Sequence, residues 1–429
     1  MPIDARGSDR SSSPPSRGTS EHALALIREL VELGPRRVAG SVCERQAHDR
    51  LAREFREITR ESGSPLHVAL RPFRFNTHLY AVLALHFGVA TLGSLATLAG
   101  YWPLGLLLHL LAAASYYGDS TRRFYWLRRL FTFQPSQNLV ATAPARDGER
   151  TIRVVVIAHV DAAYTGVMFH PEVVRRGTRP PPIPGLEFMA KGMLVVTAAT
   201  ALLALVDLLS GTGLIGASAS FVALAALSVP PVITFALNLE VVLRDQVVPG
   251  ANDNLSGSAA AVALAARLVP RKPPGAELVF VVTGAEEAGT GGAYALAREV
   301  SLGAWDRRDT VIIGVDGLSN GALRRVVDGE LMAVPMAPWL DRVLDQVSAS
   351  ELRFREVTSM NIPVGATDAM PFHARGYDAV CLSCVDPQIG APRHYHRLSD
   401  TPDNLDPAQY ADSIDYVERL VDAILEARA

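Results

Sequence analysis

The chain has 429 residues, 49% of them hydrophobic, and a formal net charge of only -3 at pH 7. This length accommodates one large domain with an additional element, and the near-neutral charge, without a basic stripe of interleaved aromatic residues, argues against a nucleic-acid partner. Three cysteines do not provide a disulfide framework. Cys381 and Cys384 have the Cys-x-x-Cys spacing, but they lie in an apolar, strand-like stretch and are interpreted as buried thiols.

The beginning of the chain is polar and then becomes amphipathic. Residues 1–20 are rich in Ser, Pro, Gly and Arg, which predicts a disordered tail, and no signal peptide is visible. Residues 21–33 and 43–58 carry apolar side chains at helical spacing, so we predict two amphipathic helices there. These helices belong to the first part of a soluble domain, which we place at residues 21–77.

Two long stretches have almost no charged residues and predict membrane hairpins. The first hairpin covers residues 78–118, and the second covers residues 189–240, where Asp207 is the charged residue between positions 192 and 239. Two helices of about 19 residues, at a rise of 1.5 Å per residue, would each span roughly 28 Å, which matches a hydrocarbon core. We therefore expect four transmembrane helices. The alternatives for the first hairpin are a buried core hairpin and a re-entrant loop, because its length is marginal.

Polar residues inside the two hairpins have a structural and a functional interpretation. His86 and His109 are interpreted as histidines packed against each other or against a main-chain carbonyl. Asp207 lies about one turn from a Ser-Gly turn, which favours a position near the far membrane interface over a role in a proton relay.

Acidic residues and histidines follow the apolar, strand-like runs of the soluble part. Residues 152–158 lead to His159 and Asp161, residues 278–283 lead to Glu286 and Glu287, and residues 310–315 lead to Asp316, while Asp253 precedes an Ala-rich helical stretch and His396 lies near the C-terminus. In an α/β protein, ligands bind beyond the carboxyl ends of the strands, and adjacent acids there repel each other unless a cation or a proton intervenes. Two histidines and three carboxylates, one of them shared, would give each of two ions three ligands and an open position for water.

Together with several short motifs, this pattern resembles the di-zinc aminopeptidases of metallopeptidase family 28, whose relatives include glutamate carboxypeptidase, glutaminyl cyclase and the transferrin-receptor ectodomain. The motifs are Leu33-Gly34-Pro35-Arg36, Asn138-Leu139-Val140-Ala141, His159-x-Asp161, Gly250-Ala251-Asn252-Asp253-Asn254, Glu286-Glu287, Asp316, Asp368 with Pro371-Phe372, and His396 with Asp400-Thr401. The resemblance implies an α/β fold, a three-layer α/β/α zinc-exopeptidase domain with a mixed, mostly parallel central sheet. The two inserted hairpins would add a four-helix transmembrane part and divide the peptidase domain into residues 21–77, 119–188 and 241–429.

The resemblance also implies a role for each site residue. Asp253 would be the bridging carboxylate, His159 and Asp316 would complete one metal site, and Glu287 and His396 would complete the other. Glu286 would be the general base, and Asp161 would hydrogen-bond the far nitrogen of His159 and fix its tautomer. Two Zn²⁺ ions per chain are implied by analogy, since mixed His and carboxylate sites also accept other divalent ions.

The sequence departs from the family pattern at three places. Gly317-Leu318 follows Asp316 where the family more often has Met and another apolar residue, Arg397 replaces the usual Thr or Ser after His396, and Ala369 stands where a His normally follows the Asp of the substrate-site segment. His394 competes with His396 as a ligand, but His396 keeps the expected four-residue interval to Asp400.

The expected function is that of a membrane-anchored di-zinc metallopeptidase, an aminopeptidase hydrolysing N-terminal residues of short peptides through a metal-bridged water activated by Glu286. A non-catalytic receptor or scaffold with the same fold, and a single-zinc acyltransferase like glutaminyl cyclase, are the alternatives. The expected partners are a peptide substrate and the lipid bilayer, and the oligomeric state is left open. Residues 166–185, with their run of prolines, would link the His159 loop to the second hairpin and form a lid or rim over the site.

Basic residues near the span ends predict the orientation in the membrane. They lie on the domain side at Arg71, Arg74, Arg122, Arg123, Arg128, Arg129, Arg175, Arg176, Arg179, Lys191 and Arg244. The positive-inside rule then predicts a multi-pass membrane protein with its catalytic domain on the cytoplasmic face.

Overall fold

A computed structural model describes residues 16–146, 150–179, 183–184, 187–328, 331, 335–361 and 365–428. Residues 1–15 of the predicted disordered tail and part of the proline run in the predicted rim lie outside the described residues, and Ser20 already begins the first helix. The helices are α1 (Ser20–Glu32), α2 (Val42–Ser62), α3 (Leu79–Leu98), α4 (Trp102–Ser120), α5 (Pro171–Thr178), α6 (Gly192–Gly211), α7 (Ala217–Arg244), α8 (Gly257–Leu268), α9 (Gly291–Val300), α10 (Pro338–Ser350), α11 (Met370–His373) and α12 (Pro407–Ala427). The strands are β1 (His67–Asn76), β2 (Phe133–Ala143), β3 (Ile152–His159), β4 (Ala276–Thr283), β5 (Thr310–Val315), β6 (Ala322–Asp328), β7 (Thr358–Asn361) and β8 (Asp378–Val385).

The described strands form one 8-stranded mixed sheet in the order β1-β2-β4-β3-β5-β8-β6-β7. The central strands β4, β3, β5 and β8 pair in parallel, as do β6 and β7, whereas β1, β2 and the β6-β8 pair are antiparallel. Every residue of β3 and β5 is buried, which explains why the sequence is apolar without polar alternation from Val154 to Ala158 and from Val311 to Val315.

Helices cover both faces of this sheet. Val154 and Val156 of β3 point into a core formed with α1, α2, α8, α10 and α12, while the intervening Val155 and Ile157 point into a second core formed with α9 and α11. This alternation follows from the two-residue period of a strand. The predicted three-layer α/β/α domain with a mixed, mostly parallel sheet is confirmed.

The four long apolar helices α3, α4, α6 and α7 pack together beside this domain. Within the described chain, α3, α6 and α7 are long and apolar enough to cross a membrane, whereas α4 is not among these candidates. Its sequence contains Trp102, Pro103, His109 and Asp119, which lower its hydropathy. Large side chains such as Leu92, Leu107 and Phe221 are exposed on the helices' outer faces, as contact with lipid requires. The helices therefore indicate membrane association.

Polar side chains inside these helices are paired across the bundle. His86 Nδ1 lies 2.7 Å from the main-chain oxygen of Val82, and its Nε2 lies 2.9 Å from the Ser115 hydroxyl. His86 thus packs against a main-chain carbonyl, which was one of the two interpretations of the sequence. His109 Nδ1 lies 2.6 Å from Asp207 Oδ2, and both side chains are fully buried. Asp207 is thus a partner of His109 inside the bundle, because α4 and α6 pack closely enough to bring the two side chains together.

Candidate metal centre

The predicted ligands meet at the carboxyl ends of the central parallel strands. His159 ends β3, Asp316 follows β5, and Glu286 and Glu287 follow β4, while loops bring in Asp253 and His396. Their ligand atoms form overlapping groups, His159 with Asp253 and Asp316, His159 with Glu286 and Glu287, and Asp253 with Glu287 and His396, each with all atoms within 4.8 Å of one another. His394, the competing histidine, is in none of the groups found among the described residues, and its Nδ1 lies 2.8 Å from the Ser399 hydroxyl.

Asp253 lies between the two histidines. Its Oδ1 is 3.3 Å from Nε2 of His159, and its Oδ2 is 3.3 Å from Nε2 of His396. Asp316 Oδ1 lies 3.7 Å from the first of these nitrogens and Glu287 Oε2 lies 3.4 Å from the second. Each oxygen of one carboxylate therefore faces a different imidazole, as in a carboxylate that bridges two cations.

The tautomer of His159 tests whether a cation fits here. Its Nδ1 lies 3.1 Å from the main-chain oxygen of Asp161, so Nδ1 carries the hydrogen in the neutral ring. Nε2 then presents a lone pair toward the Asp253 and Asp316 carboxylates, and it makes no hydrogen bond with any described residue. A lone pair aimed at carboxylate oxygens is repulsive unless a cation or a proton lies between them. The donor set therefore fits a metal ion.

The electrostatics of the cluster show the same shortage of positive charge. Burial raises the pKa of Glu287 and of Asp316, and the charge of Asp253 raises both further. Burial alone would lower the pKa of His396, but Glu287 and Asp253 outweigh it and raise that pKa to about 10. The His396 imidazole thus holds a proton where a metal centre would hold a cation.

Asp161 is at the site, but its carboxylate has a different partner from the one that we expected. Its Oδ1 lies 3.7 Å from His159 Nδ1, whose hydrogen bond goes to the main-chain carbonyl of Asp161 instead. The carboxylate accepts the main-chain N–H groups of Glu286 and Glu287, both at 3.0 Å. The positive φ of Ala285, 54°, turns these N–H groups toward it. Asp161 therefore holds the acidic loop in place.

Further residues that fix the ligand loops were not assigned from the sequence. Buried Arg37, next to the Arg36 of the N-terminal motif, donates to the carbonyls of Val160 at 2.6 Å and Pro249 at 2.7 Å, and so joins the His159 loop to the Asp253 loop. Asp400 accepts hydrogen bonds from the main-chain N–H groups of Asn252 at 2.8 Å and Asp253 at 3.1 Å. In the sequence it served only to choose between His394 and His396.

Tyr80 brings the first apolar helix into the site. It lies in the first turn of α3, and its hydroxyl is 3.4 Å from Nδ1 of His396. Its ring packs edge-on against Phe169 and Tyr164. No local sequence pattern indicated this contact, since residues 78–118 were predicted only as a membrane hairpin.

Asp368 lies beside the cluster with one oxygen unused. Its Oδ2 accepts the Thr283 hydroxyl at 2.5 Å, whereas its buried Oδ1 has no hydrogen-bond partner among the residues described. Burial raises the pKa of Asp368 to about 7. Ala369, where the family has His, is buried and brings no polar group to the site.

A cavity of about 350 Å³ opens at the cluster and continues between the apolar helices. Asp253, Glu286, Asp316 and His396 line its polar end. Side chains of α3, α6 and α7 line much of the remainder, together with Asp119, Ser120 and Arg122 at the end of α4. Met168, Phe169, Val173 and Val174 also line it, so the described part of the predicted rim borders the site.

Comparison with known proteins supports the resemblance. The model of Peptidase family M28 matches residues 238–421, which include Asp253, Glu286, Glu287, Asp316 and His396 but not His159 or Asp161. A comparison with curated protein sequences finds no match.

Solved structures share the fold at low sequence identity. An aminopeptidase from Aneurinibacillus sp. strain AM-1 is 15% identical with a TM-score of 0.54, over 94% of this chain and 93% of that chain. BSAP, a zinc aminopeptidase from Bacillus subtilis, is 14% identical with a TM-score of 0.54, over 95% of each chain. Porphyromonas gingivalis glutaminyl cyclase is 13% identical with a TM-score of 0.52, over 94% of this chain and 98% of that chain. The chain therefore has the fold of these enzymes.

Proposed function

We propose that this chain, which resembles peptidase family M28 in sequence and in fold, is a membrane-anchored metallopeptidase that removes N-terminal residues from its substrates. The observation that carries this proposal is the buried Nε2 of His159, which has no hydrogen-bond partner among the described residues. This nitrogen faces the Asp253 and Asp316 carboxylates at one end of the cavity. A buried polar atom without a partner is costly, and a bound ion at a site of converging carboxylates is one explanation for it.

The residues would hold two zinc ions. His159 and Asp316 would bind one ion, Glu287 and His396 would bind the other, and Asp253 would be shared. Imidazole and carboxylate donors suit zinc, and one of the structural neighbours is a zinc aminopeptidase. Bound ions would lower the pKa of a coordinated water and polarise the carbonyl of the substrate.

Glu286 is placed to move the proton in this reaction. Its carboxylate lines the cavity, with Oε2 3.9 Å from His159 Nε2, and Asp161 holds its main-chain N–H. Burial raises the pKa of Glu286 well above its usual range, and a raised pKa makes a carboxylate a stronger proton acceptor. We assign Glu286 as the base that takes a proton from the attacking water and returns it to the leaving amine.

The test combines metal analysis with hydrolysis of N-terminal aminoacyl amides. We expect two zinc ions per chain in purified protein, and Glu286→Ala should keep both ions while turnover falls by about 10²- to 10⁴-fold, the usual contribution of a general base. Glu299→Ala serves as the matched control, because Glu299 is an exposed acid of α9 paired with Arg71. One ion per chain with cyclisation of N-terminal glutamine would favour a glutaminyl-cyclase-like acyltransferase, and no bound metal would favour the non-catalytic scaffold.

The proposal includes a multi-pass arrangement with the catalytic domain in the cytoplasm. All four long helices return to the same domain, and the domain end of α4 is followed by Arg122, Arg123, Arg128 and Arg129. Basic residues beside span ends favour the cytoplasmic side. A reporter enzyme fused after Ala429 should be active only in the cytoplasm, and an extracytoplasmic signal would contradict this orientation.

A further inference from the structure

We infer that the substrate of this hydrolase is an amide that carries a long alkyl chain, which lies between the apolar helices while the amide bond reaches the carboxylates. The reaction in this inference rests on the proposed function, and the substrate class rests on the cavity. A soluble aminopeptidase acting on short polar peptides has no need of an apolar extension of its site.

The cavity is continuous from the ligand cluster to the helices. Beyond Asp253 and Glu286 its walls include Leu83 of α3, Val196 of α6 and Leu237 of α7. Val173 of α5, which also lines it, is 40% exposed, so the cavity has access to the surroundings of the domain. Leu83, Val196 and Leu237 belong to helices that we propose to lie in the membrane, so an alkyl chain bound between them would lie within the proposed membrane part.

The character of the walls favours an alkyl chain over a peptide. The apolar part is formed by helices, whose main-chain N–H and C=O groups are already bonded to each other. An extended peptide placed there would leave its own main-chain groups without partners, at a cost comparable to that of other buried unpaired polar groups. An unbranched alkyl chain has no such groups.

One polar atom in this wall requires a donor from the ligand. Asn238 of α7 lines the cavity and is 1% exposed. Its Nδ2 donates to the Thr234 carbonyl at 2.8 Å, but its buried Oδ1 has no hydrogen-bond partner within the described part of the chain. An amide N–H or a hydroxyl near the head of an amphiphilic substrate would satisfy this oxygen, whereas a hydrocarbon without a polar head would not.

The experiment measures how hydrolysis depends on chain length. Protein is placed in lipid nanodiscs, since the alkyl chains of a detergent would compete for the cavity. Two series of amides with two, six and ten carbons are compared, one with the tail on the leaving amine and one with the tail on the acyl side, together with Leu-Leu-Leu as an apolar peptide. We expect kcat/KM to rise at least about tenfold from two to ten carbons in one series, because each buried methylene adds to binding.

A matched pair of variants separates binding in the cavity from partition into the lipid. Val196→Trp fills the cavity and should reduce the ratio of long-chain to short-chain kcat/KM by at least about fivefold. Leu202→Trp lies on the same helix at a position that is 46% exposed, and it should leave this ratio unchanged. An equal ratio in both variants, or a preference for Leu-Leu-Leu over the long-chain amides, would overturn the inference.

Photolabelling with a diazirine-bearing alkyl amide gives a readout that does not depend on turnover. We expect labels on α6 and α7 in wild type and in Glu286→Ala, and loss of these labels in Val196→Trp. If wild-type protein is labelled on these helices but hydrolyses none of the amides, the proposed reaction is contradicted and the alkyl-binding cavity is supported. Hydrolysis of short amides with no labelling of these helices would overturn the cavity inference and keep the proposed function.

Discussion

The carboxylates at the sheet edge and Asp207 in the helix bundle are both buried beside histidines, but they differ in whether their polar atoms have partners. In the bundle, Asp207 Oδ1 accepts the Thr97 hydroxyl at 2.7 Å and Oδ2 meets His109 at 2.6 Å. The other nitrogen of His109 lies 3.1 Å from the Ser94 hydroxyl, which in turn is 2.7 Å from Ser228. These contacts connect α3, α4, α6 and α7.

At the sheet edge the partners are incomplete. His159 Nε2 and Asp368 Oδ1 are buried without a hydrogen bond to any residue of the described chain, and the carboxylates there face one another. A polar cluster with every atom paired holds elements together, whereas a cluster with unpaired atoms directed at one point needs a ligand to complete it. Burial of charged residues alone therefore does not distinguish a structural polar cluster from a ligand-binding site.

The largest effect should come from exchanging a histidine in each region. His159→Ala removes a ligand atom, so we expect the metal content to fall from two ions to one and turnover to fall at least about a hundredfold. His109→Ala removes a partner of Asp207 and should leave both quantities unchanged. Metal content and the rate of amide hydrolysis are measured on the same preparations of both variants. Equal metal content in His159→Ala and His109→Ala would contradict the assignment of His159 as a metal ligand.

An intermediate effect is expected when the bundle's own carboxylate is removed. Asp207→Leu leaves His109 and Thr97 without their acceptor, so the protein should lose about 1–2 kcal/mol of stability, as is typical of polar contacts between membrane helices. The thermal midpoint measures this loss, with Leu205→Ala, an exposed site on the same helix, as the control. Loss of turnover in folded Asp207→Leu protein would show that the cluster acts in catalysis as well as in packing.

The smallest effect is expected at Glu54 of α2, whose carboxylate pairs with His22 and Arg50 in the soluble domain. Burial raises its pKa, but hydrogen bonds from His22 and Arg50 outweigh this, so that the pKa falls from 4.5 to about 2. Because the folded pKa lies below the unfolded value, the stabilisation is fully present above about pH 4.5 and disappears as the pH falls through about 2.

Glu54→Gln should therefore lower stability by about 1 kcal/mol at pH 7, and the difference from wild type should vanish toward pH 2. Thermal midpoints measured across this range provide the test. Glu57→Gln, on the same helix and paired with the more exposed Arg60, should show little difference at any pH. A stability difference that stays constant down to pH 2 would mean that packing, and not charge, explains the role of Glu54.

The sequence predicted those parts of the fold in which local pattern and tertiary environment agree. The runs of β3 and β5 are buried on both faces, so their apolar sequence marked both the strands and the ligands that follow them. In contrast, β1 is largely exposed and contains Arg71, Pro72 and Arg74, so it has no apolar run and was not predicted as a strand.

The site was less predictable where a contact depends on distant parts of the chain. Tyr80 and His396 are 316 positions apart, and no local pattern connects them. Arg36 and Arg37 are adjacent residues of one type, yet Arg37 is buried at the ligand loops and Arg36 pairs with Asp245 at the surface. The role of the Asp161 carboxylate likewise depends on the conformation of the loop at Ala285.

The position of β4 in the sheet sets an order for biosynthesis. β4 lies between β2 and β3, but it begins at Ala276, after all four long apolar helices. The neighbours of β3 are β4 and β5, so the strand that carries His159 has no partner strand until β4 has been translated. The nascent chain therefore releases α3, α4, α6 and α7 from the ribosome before the central sheet can close, so in the proposed membrane arrangement these helices would reach the bilayer before the ligand cluster assembles.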